Sequence, residues 1–304
     1  MLEIAIMIEG QDGLTWPRWQ KIVRMVEELG FAGLYRSDHF TNANPPDHES
    51  LELWVSLTWL AANTSRIEFG PMVTPFSFRH PALTARMAAA VDDLSGGRLT
   101  LGLGGGWQER EHHLFGFDLL DKKDRFARFE EGMECVSRLL QSEEPVEFEG
   151  EFFQLRGAQV LPRPKRPKGP RILVGGNGFT RTLGLAARYA DEWNANFLSP
   201  DQFSRASRHL DDLLAAAGRS PDLVRRSLMT GCIFSRDEAA LNKKLEARGG
   251  TKEALRDRGM IVATEGDVIE QLAQLSEAGV QRVMLQWLEL DDLQGLEDLA
   301  RVVL

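Results

Sequence analysis

The stretch RILVGGNGFTRTLGLAARYADEWNAN, Arg171 to Asn196, carries the pattern that decides the fold. A short apolar run, RILVGG, meets Asn177 and Gly178, a helix-period segment follows from near Phe179, and a second short run, EWNAN, becomes extended again. Short apolar runs alternating with helix-period segments indicate strand–helix–strand units, whose crossovers make neighbouring strands parallel. Gly175, Gly176, Asn177 and Gly178 run into a helix amino terminus, where unpaired N–H groups and the helix dipole favour a phosphate. Thr180 and Arg181 on the first turn add donors. A short strand-to-helix loop also requires glycine on steric grounds alone.

The same alternation extends over the whole chain. Strand-like runs read EIAIMI, GLYRS, IEFGPMV, LTLGLG, RILVGG, EWNAN, SLMTGCIF and RVMLQWL. Helical segments follow near Pro17, Leu51, Pro81, Lys123, Phe179, Pro200, Gly266 and Asp291, several opened by Pro or by an Asp or Ser cap. Eight such units in 304 residues predict a single closed (β/α)8 TIM barrel spanning residues 1–304. Two insertions interrupt the rhythm. After helix 4, PVEFEGEFFQLRGAQVLPRPKRPKGPR reads as a hairpin about Glu149-Gly150 and then an extended, basic connector on the face opposite the site. After strand 7, Ser235 to Ile261 reads either as a lid or as an exposed helical excursion. The second helix, LELWVSLTWLAA, is apolar nearly all round, which predicts a homodimer contact.

The net charge of −9 excludes a nucleic-acid or anionic-membrane surface, which would require a basic face. No run has the form of a signal peptide or a membrane span. Cys135 and Cys232 lie far apart in apolar patterns and read as buried free thiols in a reducing cytoplasm. Among the histidines, His112 and His113 are adjacent and point to different helix faces, so no metal site is expected. Nucleophilic hydrolysis is disfavoured too, for there is no G-x-S-x-G elbow.

In a barrel the chemistry sits just beyond the carboxyl ends of the strands. That rule selects Glu9, Asp38-His39, Val73-Thr74, the run GGGWQERE, Gly175 to Gly178, Asn194 to Asn196 and Gln286-Trp287. Asp38 and His39 read either as a ligand-facing pair or as a loop hydrogen bond. Gly104 to Gly106 either admit a flat ligand or make a tight turn, and Trp107 spoils a dinucleotide fingerprint. Trp107, Trp193, Trp287 and Phe76 suggest an aromatic-walled pocket for a small-molecule substrate.

Together, RSDHF, FRHPALTARMAAAVDDLSGGRLTLGLGGGWQEREHHLFG, ILVGGNGFTRTLGLAARYADEWN and GVQRVMLQWLELDD resemble the bacterial luciferase-like family, especially its deazaflavin-dependent oxidoreductases. The resemblance implies a commonly dimeric barrel binding coenzyme F420 or FMN. It places Asp38 at the polar edge of the ring, Met72, Val73 and Thr74 behind it around a non-proline cis peptide, and Gly105 and Gly106 beside it. Gly175, Gly176, Asn177, Gly178 and Thr180 would cradle the phosphate. His39 aligns with the histidine beside the hydride-transferring carbon. The glutamate that directly follows the glycines in the family's sugar-phosphate dehydrogenase is here Trp107, so either Glu109 or Glu111 supplies an acid or none is needed. The expected function is F420-dependent hydride transfer; the alternatives are an FMN-dependent monooxygenase and a cofactor-binding barrel without catalysis.

Overall fold

The computed structural model describes residues 2–304. The chain runs β1 (Glu3–Ile8), α1 (Trp16–Leu29), β2 (Gly33–Arg36), α2 (Leu53–Asn63), β3 (Glu68–Pro71), β4 (Thr74–Pro75), α3 (Pro81–Leu94) and β5 (Thr100–Gly104). Next come α4 (Glu109–Phe115), α5 (Lys122–Gln141), the hairpin strands β6 (Val146–Glu149) and β7 (Gln154–Ala158), β8 (Arg171–Gly175), α6 (Thr182–Tyr189) and β9 (Glu192–Asn196). The final third holds α7 (Pro200–Ala216), β10 (Arg225–Ser235), α8 (Glu238–Arg248), α9 (Lys252–Asp257), β11 (Ile261–Thr264), α10 (Glu265–Glu277), β12 (Arg282–Gln286) and α11 (Leu293–Val303).

The main sheet is parallel, in the order β3-β2-β1-β12-β10-β9-β8-β5-β4. It closes because β3 and β4 are two parts of one stave interrupted at the cis Met72–Val73 peptide. Phe69 bridges Leu99, and Thr74 pairs with Leu103. Glycine makes this closure possible, since a Cβ at Gly70 would lie 1.9 Å from the Thr100 carbonyl oxygen and one at Gly102 would lie 2.1 Å from that of Pro71. The expected barrel is therefore present.

Strands buried on both faces separate two cores. A large one lies between staves and helices; a smaller one fills the barrel with Ala5, Met7, Tyr35, Met72, Leu173, Met229 and Met284. The amino end is plugged by charge. The buried Arg282 guanidinium donates to Glu3 and Glu68 (both 2.8 Å) and to the Tyr35 hydroxyl (2.5 Å), with Glu192 3.5 Å away. Burial raises the Glu192 carboxyl pKa against the pull of Arg282 and Arg225; at Glu68, burial is overcome by Arg282, Arg225 and Arg171, which bring it down to about 2.

The hairpin about Glu149-Gly150 forms as read, and Arg166 and Lys168 of the basic connector border a cavity with Glu3 and Gln281 at the amino end. The second insertion takes the second of its two readings, an exposed helical excursion, with α8 and α9 broken at Gly249-Gly250. It contains β11, which extends the barrel wall by pairing with β10 from Cys232↔Ile261 to Ser235↔Thr264, and none of Arg236 to Ile261 lines the cavity described below. It is a side buttress, not a lid. A short helix, α4, also precedes α5 where a single helix near Lys123 was expected.

Candidate active site

A cavity of about 550 Å³ opens at the carboxyl ends of the staves. Met7, Met229, Gln286 and the Met72–Val73 turn line it, together with Gly104 to Trp107 on one side and Gly175, Gly176 and Thr182 on another. This is the size of a pocket that buries most of a fused-ring ligand.

His39 projects from the loop after β2 and borders this cavity. Its Nδ1 lies 2.8 Å from Glu111 Oε1, and Glu111 Oε2 accepts the Phe40 amide at 2.9 Å. Ser50 Oγ donates to the His39 carbonyl at 2.6 Å, and Trp107 meets the ring edge-on at 5.6 Å between centroids. Burial pulls the imidazole toward neutrality, but the hydrogen bond to Glu111 and the charges of Glu111, Glu9 and Asp38 outweigh it, leaving the pKa raised. Nε2 has no protein hydrogen-bond partner among the described residues, while the side chain stays 19% exposed. A carboxylate on Nδ1 and a free Nε2 give the ring one anchored and one reactive nitrogen.

Asp38 also borders the cavity, but its carboxylate is engaged within the protein. It accepts from Thr74 Oγ1 at 2.6 Å and pairs with Arg79, which also reaches Glu52 at 2.8 Å. Thr74 itself is buried behind this pair and does not line the cavity. Glu9 is held by Gln11 at 2.9 Å and Gln286 at 2.6 Å. Arg79 and Gln286 thus set the two acids beside His39. Gln286 was flagged by its place at a strand end, whereas Arg79, seated one residue before His80, the N-cap of α3, was not.

The glycines divide into two roles. Val73 is nested among Gly102, Gly104 and Gly175: a Cβ on Gly104 would meet Val73 Cγ2 at 2.4 Å, and one on Gly175 would meet Cγ1 at 3.0 Å. Those three make room for the protein's own turn. Gly105 and Gly106 are free to face a flat ligand, with Gly106 at φ 78. In the second glycine loop Gly176 donates to the Asn194 carbonyl at 2.9 Å, while the Asn177 side chain braces the Asn196 backbone at 2.8 and 2.9 Å. The amides of Asn177 and Gly178 have no backbone acceptor among the described residues, which fits a phosphate cradle. Arg181 lies over the ring of Phe126, itself a lining residue, at 5.2 Å.

Several expected pocket residues lie elsewhere. Trp193 is fully buried in the barrel wall, stacked on Phe203 at 5.3 Å, because the residues on either side of it face the barrel interior. Trp287 likewise points outward and packs under the Lys244 ammonium at 5.5 Å, and Phe76 fills the space left by Gly132. Glu109 is exposed at the start of α4; Glu111, two residues on, takes the inward place. Asn177, Gly178 and Thr180 do not line the cavity, while Thr182, which sequence reasoning missed, does. Neither cysteine borders it either, and burial pushes both thiols up to about 12.

An anchored imidazole beside glycine-lined walls sits where a parallel barrel places its chemistry, at the carboxyl ends of the staves. The chain belongs to the luciferase-like monooxygenase family, matching it over residues 5–256. It is 31% identical over 227 residues to the F420-dependent glucose-6-phosphate dehydrogenase of Kineococcus radiotolerans, covering 74% of this chain and 57% of that one. It is 26% identical to the 4-hydroxyprotoasukamycin monooxygenase of Streptomyces nodosus subsp. asukaensis, covering 95% of this chain and 85% of that one. An F420-dependent secondary alcohol dehydrogenase, solved with an F420-acetone adduct, superimposes with a TM-score of 0.86 at 17% identity, covering 99% and 98% of the two chains, which supports the fold. The chain is accordingly an enzyme of the oxidoreductase class, and the expectation of a barrel without catalysis is set aside.

Proposed function

We propose that the chain is a coenzyme F420-dependent oxidoreductase that interconverts a small neutral alcohol and its carbonyl compound. The observation that carries the reading is His39, which borders the cavity with Nδ1 tied to Glu111 and Nε2 without a protein partner among the described residues. Gly105 and Gly106 would admit the flat ring, Met72 and Val73 would lie behind it, and the Asn177–Gly178 amides, at the end of the Gly175-Gly176 turn, would hold the phosphate. Arg181 beside Phe126 offers charge for an anionic tail. When bound, the deazaflavin supplies a two-electron hydride acceptor or donor.

The chain's own task is the proton. In alcohol oxidation the hydroxyl proton passes to His39 Nε2 as the C–H electron pair leaves with its hydrogen as hydride, and the carbonyl bond forms. In reduction the proton returns from Nε2 to the oxygen. Among the described residues no Lys or Arg lines the cavity, so a phosphorylated substrate would lack a counter-charge. Trp107, Phe78 and Phe197 favour an apolar substrate body.

The second reading is an FMN-dependent monooxygenase, supported by the similarity to the Streptomyces enzyme over most of both chains. For the partner state we propose a homodimer, with the outer face of α2 at the contact, where Val55 is 58% exposed and Trp16 and Trp59 pack edge-on at 6.5 Å. We place the protein in the cytoplasm on its two free, buried thiols; no helix among the described residues is long and apolar enough to cross a membrane.

Titration of the purified protein with F420 and with FMN, followed by cofactor fluorescence, tests the reading. Binding of FMN with none of F420 reverses the ranking. His39→Ala is expected to keep cofactor affinity and lose about 10²–10⁴ in turnover; retained turnover removes His39 from the chemistry.

A further inference from the structure

We propose that Glu111 is a positioning residue that acts through His39, holding its proton on Nδ1 so that Nε2 is the base presented to substrate. The inference rests on the reading that His39 moves the proton, and it gives the site a carboxylate–imidazole pair although Trp107 follows the glycines. Glu111 is buried, and both its oxygens are committed to one segment, Oε1 to His39 Nδ1 at 2.8 Å and Oε2 to the Phe40 amide at 2.9 Å. Glu111 borders the cavity but is only 1% exposed, and both its oxygens are turned to the His39 segment, so its influence passes through the ring.

Gln108, the N-cap of α4, supports the same geometry. Its amide nitrogen donates to the Thr41 carbonyl at 2.9 Å and its oxygen accepts from Thr41 Oγ1 at 3.2 Å, which ties the helix start to the His39 loop. That nitrogen lies 3.4 Å from His39 Nδ1, too far to compete with Glu111. The other titratable groups acting on the ring are Glu9 just after β1, the adjacent Asp38 and His112 from α4. Each is engaged elsewhere: Glu9 by Gln11 and Gln286, Asp38 by Thr74 and Arg79, and His112 by the Gln108 carbonyl and Ser77. Among the described residues, Glu111 is the one carboxylate in contact with the imidazole.

An ionised carboxylate at Nδ1 selects the Nδ1–H tautomer and leaves the lone pair on Nε2. When Nε2 gains the substrate proton, the imidazolium forms against a negative partner already in place. Uncompensated, that charge would be created in a largely buried site.

The test is nuclear magnetic resonance of the full chain labelled in its histidine rings, with no cofactor added and the His39 signal assigned by its loss in His39→Gln. The neutral ring is expected as the Nδ1–H tautomer. Glu111→Gln keeps an acceptor for Nδ1 but removes the charge, and is expected to lower the His39 midpoint by about one to two pH units. The acid limb of kcat/KM for alcohol oxidation should move by the same interval. An Nε2–H tautomer in the native chain, or an unmoved midpoint in a folded Glu111→Gln variant, overturns the proposal. If that variant does not fold, the native tautomer decides. Because neither measurement needs a cofactor, a shifted midpoint without F420 turnover refutes the cofactor reading alone, and an unmoved midpoint with turnover refutes the role of Glu111 alone.

Discussion

Gly104→Ala tests whether the glycines after β5 serve the protein's own packing before they serve a ligand. The added Cβ would lie 2.4 Å from Val73 Cγ2, well inside the 3.4–4 Å of ordinary contact. Val73 has little room to withdraw, because the Cβ positions of Gly102 and Gly175 would lie 3.2 and 3.0 Å from its Cγ1. Either Val73 turns into the cavity or the β4 stave moves. Overpacking of this kind costs about 1–3 kcal/mol. With an unfolding entropy of about 2.1 cal/mol/K per residue, a chain of 304 residues loses roughly 2–5 °C of Tm for that cost. Thermal unfolding followed by circular dichroism, alongside cofactor fluorescence titration, should show both a lower Tm and weaker ring binding. Val73→Ala in the same background removes the clashing methyl, so the double variant should exceed the additive sum by about 1 kcal/mol or more. An unchanged Tm in Gly104→Ala, or strict additivity in the pair, refutes the account.

The raised pKa of His39 predicts opposite trends for activity and stability. Alcohol oxidation requires neutral Nε2, so kcat/KM should rise with pH through a midpoint above the ordinary histidine value; a rate that falls over that interval contradicts the assigned direction of proton transfer. The stabilisation from protonated His39 is complete below its unfolded pKa of about 6.5 and lost as pH rises through the higher folded value, so the Tm advantage of the native chain over His39→Gln should shrink from pH 6 toward 9. At the other end of the barrel, Arg282→Ala leaves the buried Glu192 and the partly exposed Glu68 with Arg225 and Arg171. Breaking a buried ion network costs about 3–5 kcal/mol, or roughly 5–8 °C of Tm at this chain length; a loss under 2 °C would show the network to be dispensable.

The staves were legible because each is a short apolar run buried on both faces, and the carboxyl-end rule then placed His39, Gly105, Gly106 and Gly175 together without any coordinates. What failed was the choice of which neighbour points inward. On a stave, successive side chains alternate between barrel interior and helix layer. Asn196 and Gln286 line the cavity, so Trp193, three positions before Asn196, and Trp287, next to Gln286, must face the helices. That inference was open to the sequence and was obscured by the habit of reading aromatics as pocket walls. Glu109 and Glu111 pose the harder case. Two helical residues differ by about 200° around the axis, so one of them faces the His39 loop only if the phase of α4 is known. That phase is set by Gln108 gripping Thr41 across 67 positions of sequence, a contact no local pattern encodes. A charge swap therefore tests the phase as well as the chemistry: Glu109→Gln should leave the His39 midpoint where it is, while Glu111→Gln moves it. Equal shifts from both would mean that bulk negative charge on α4, not one aimed carboxylate, tunes the imidazole.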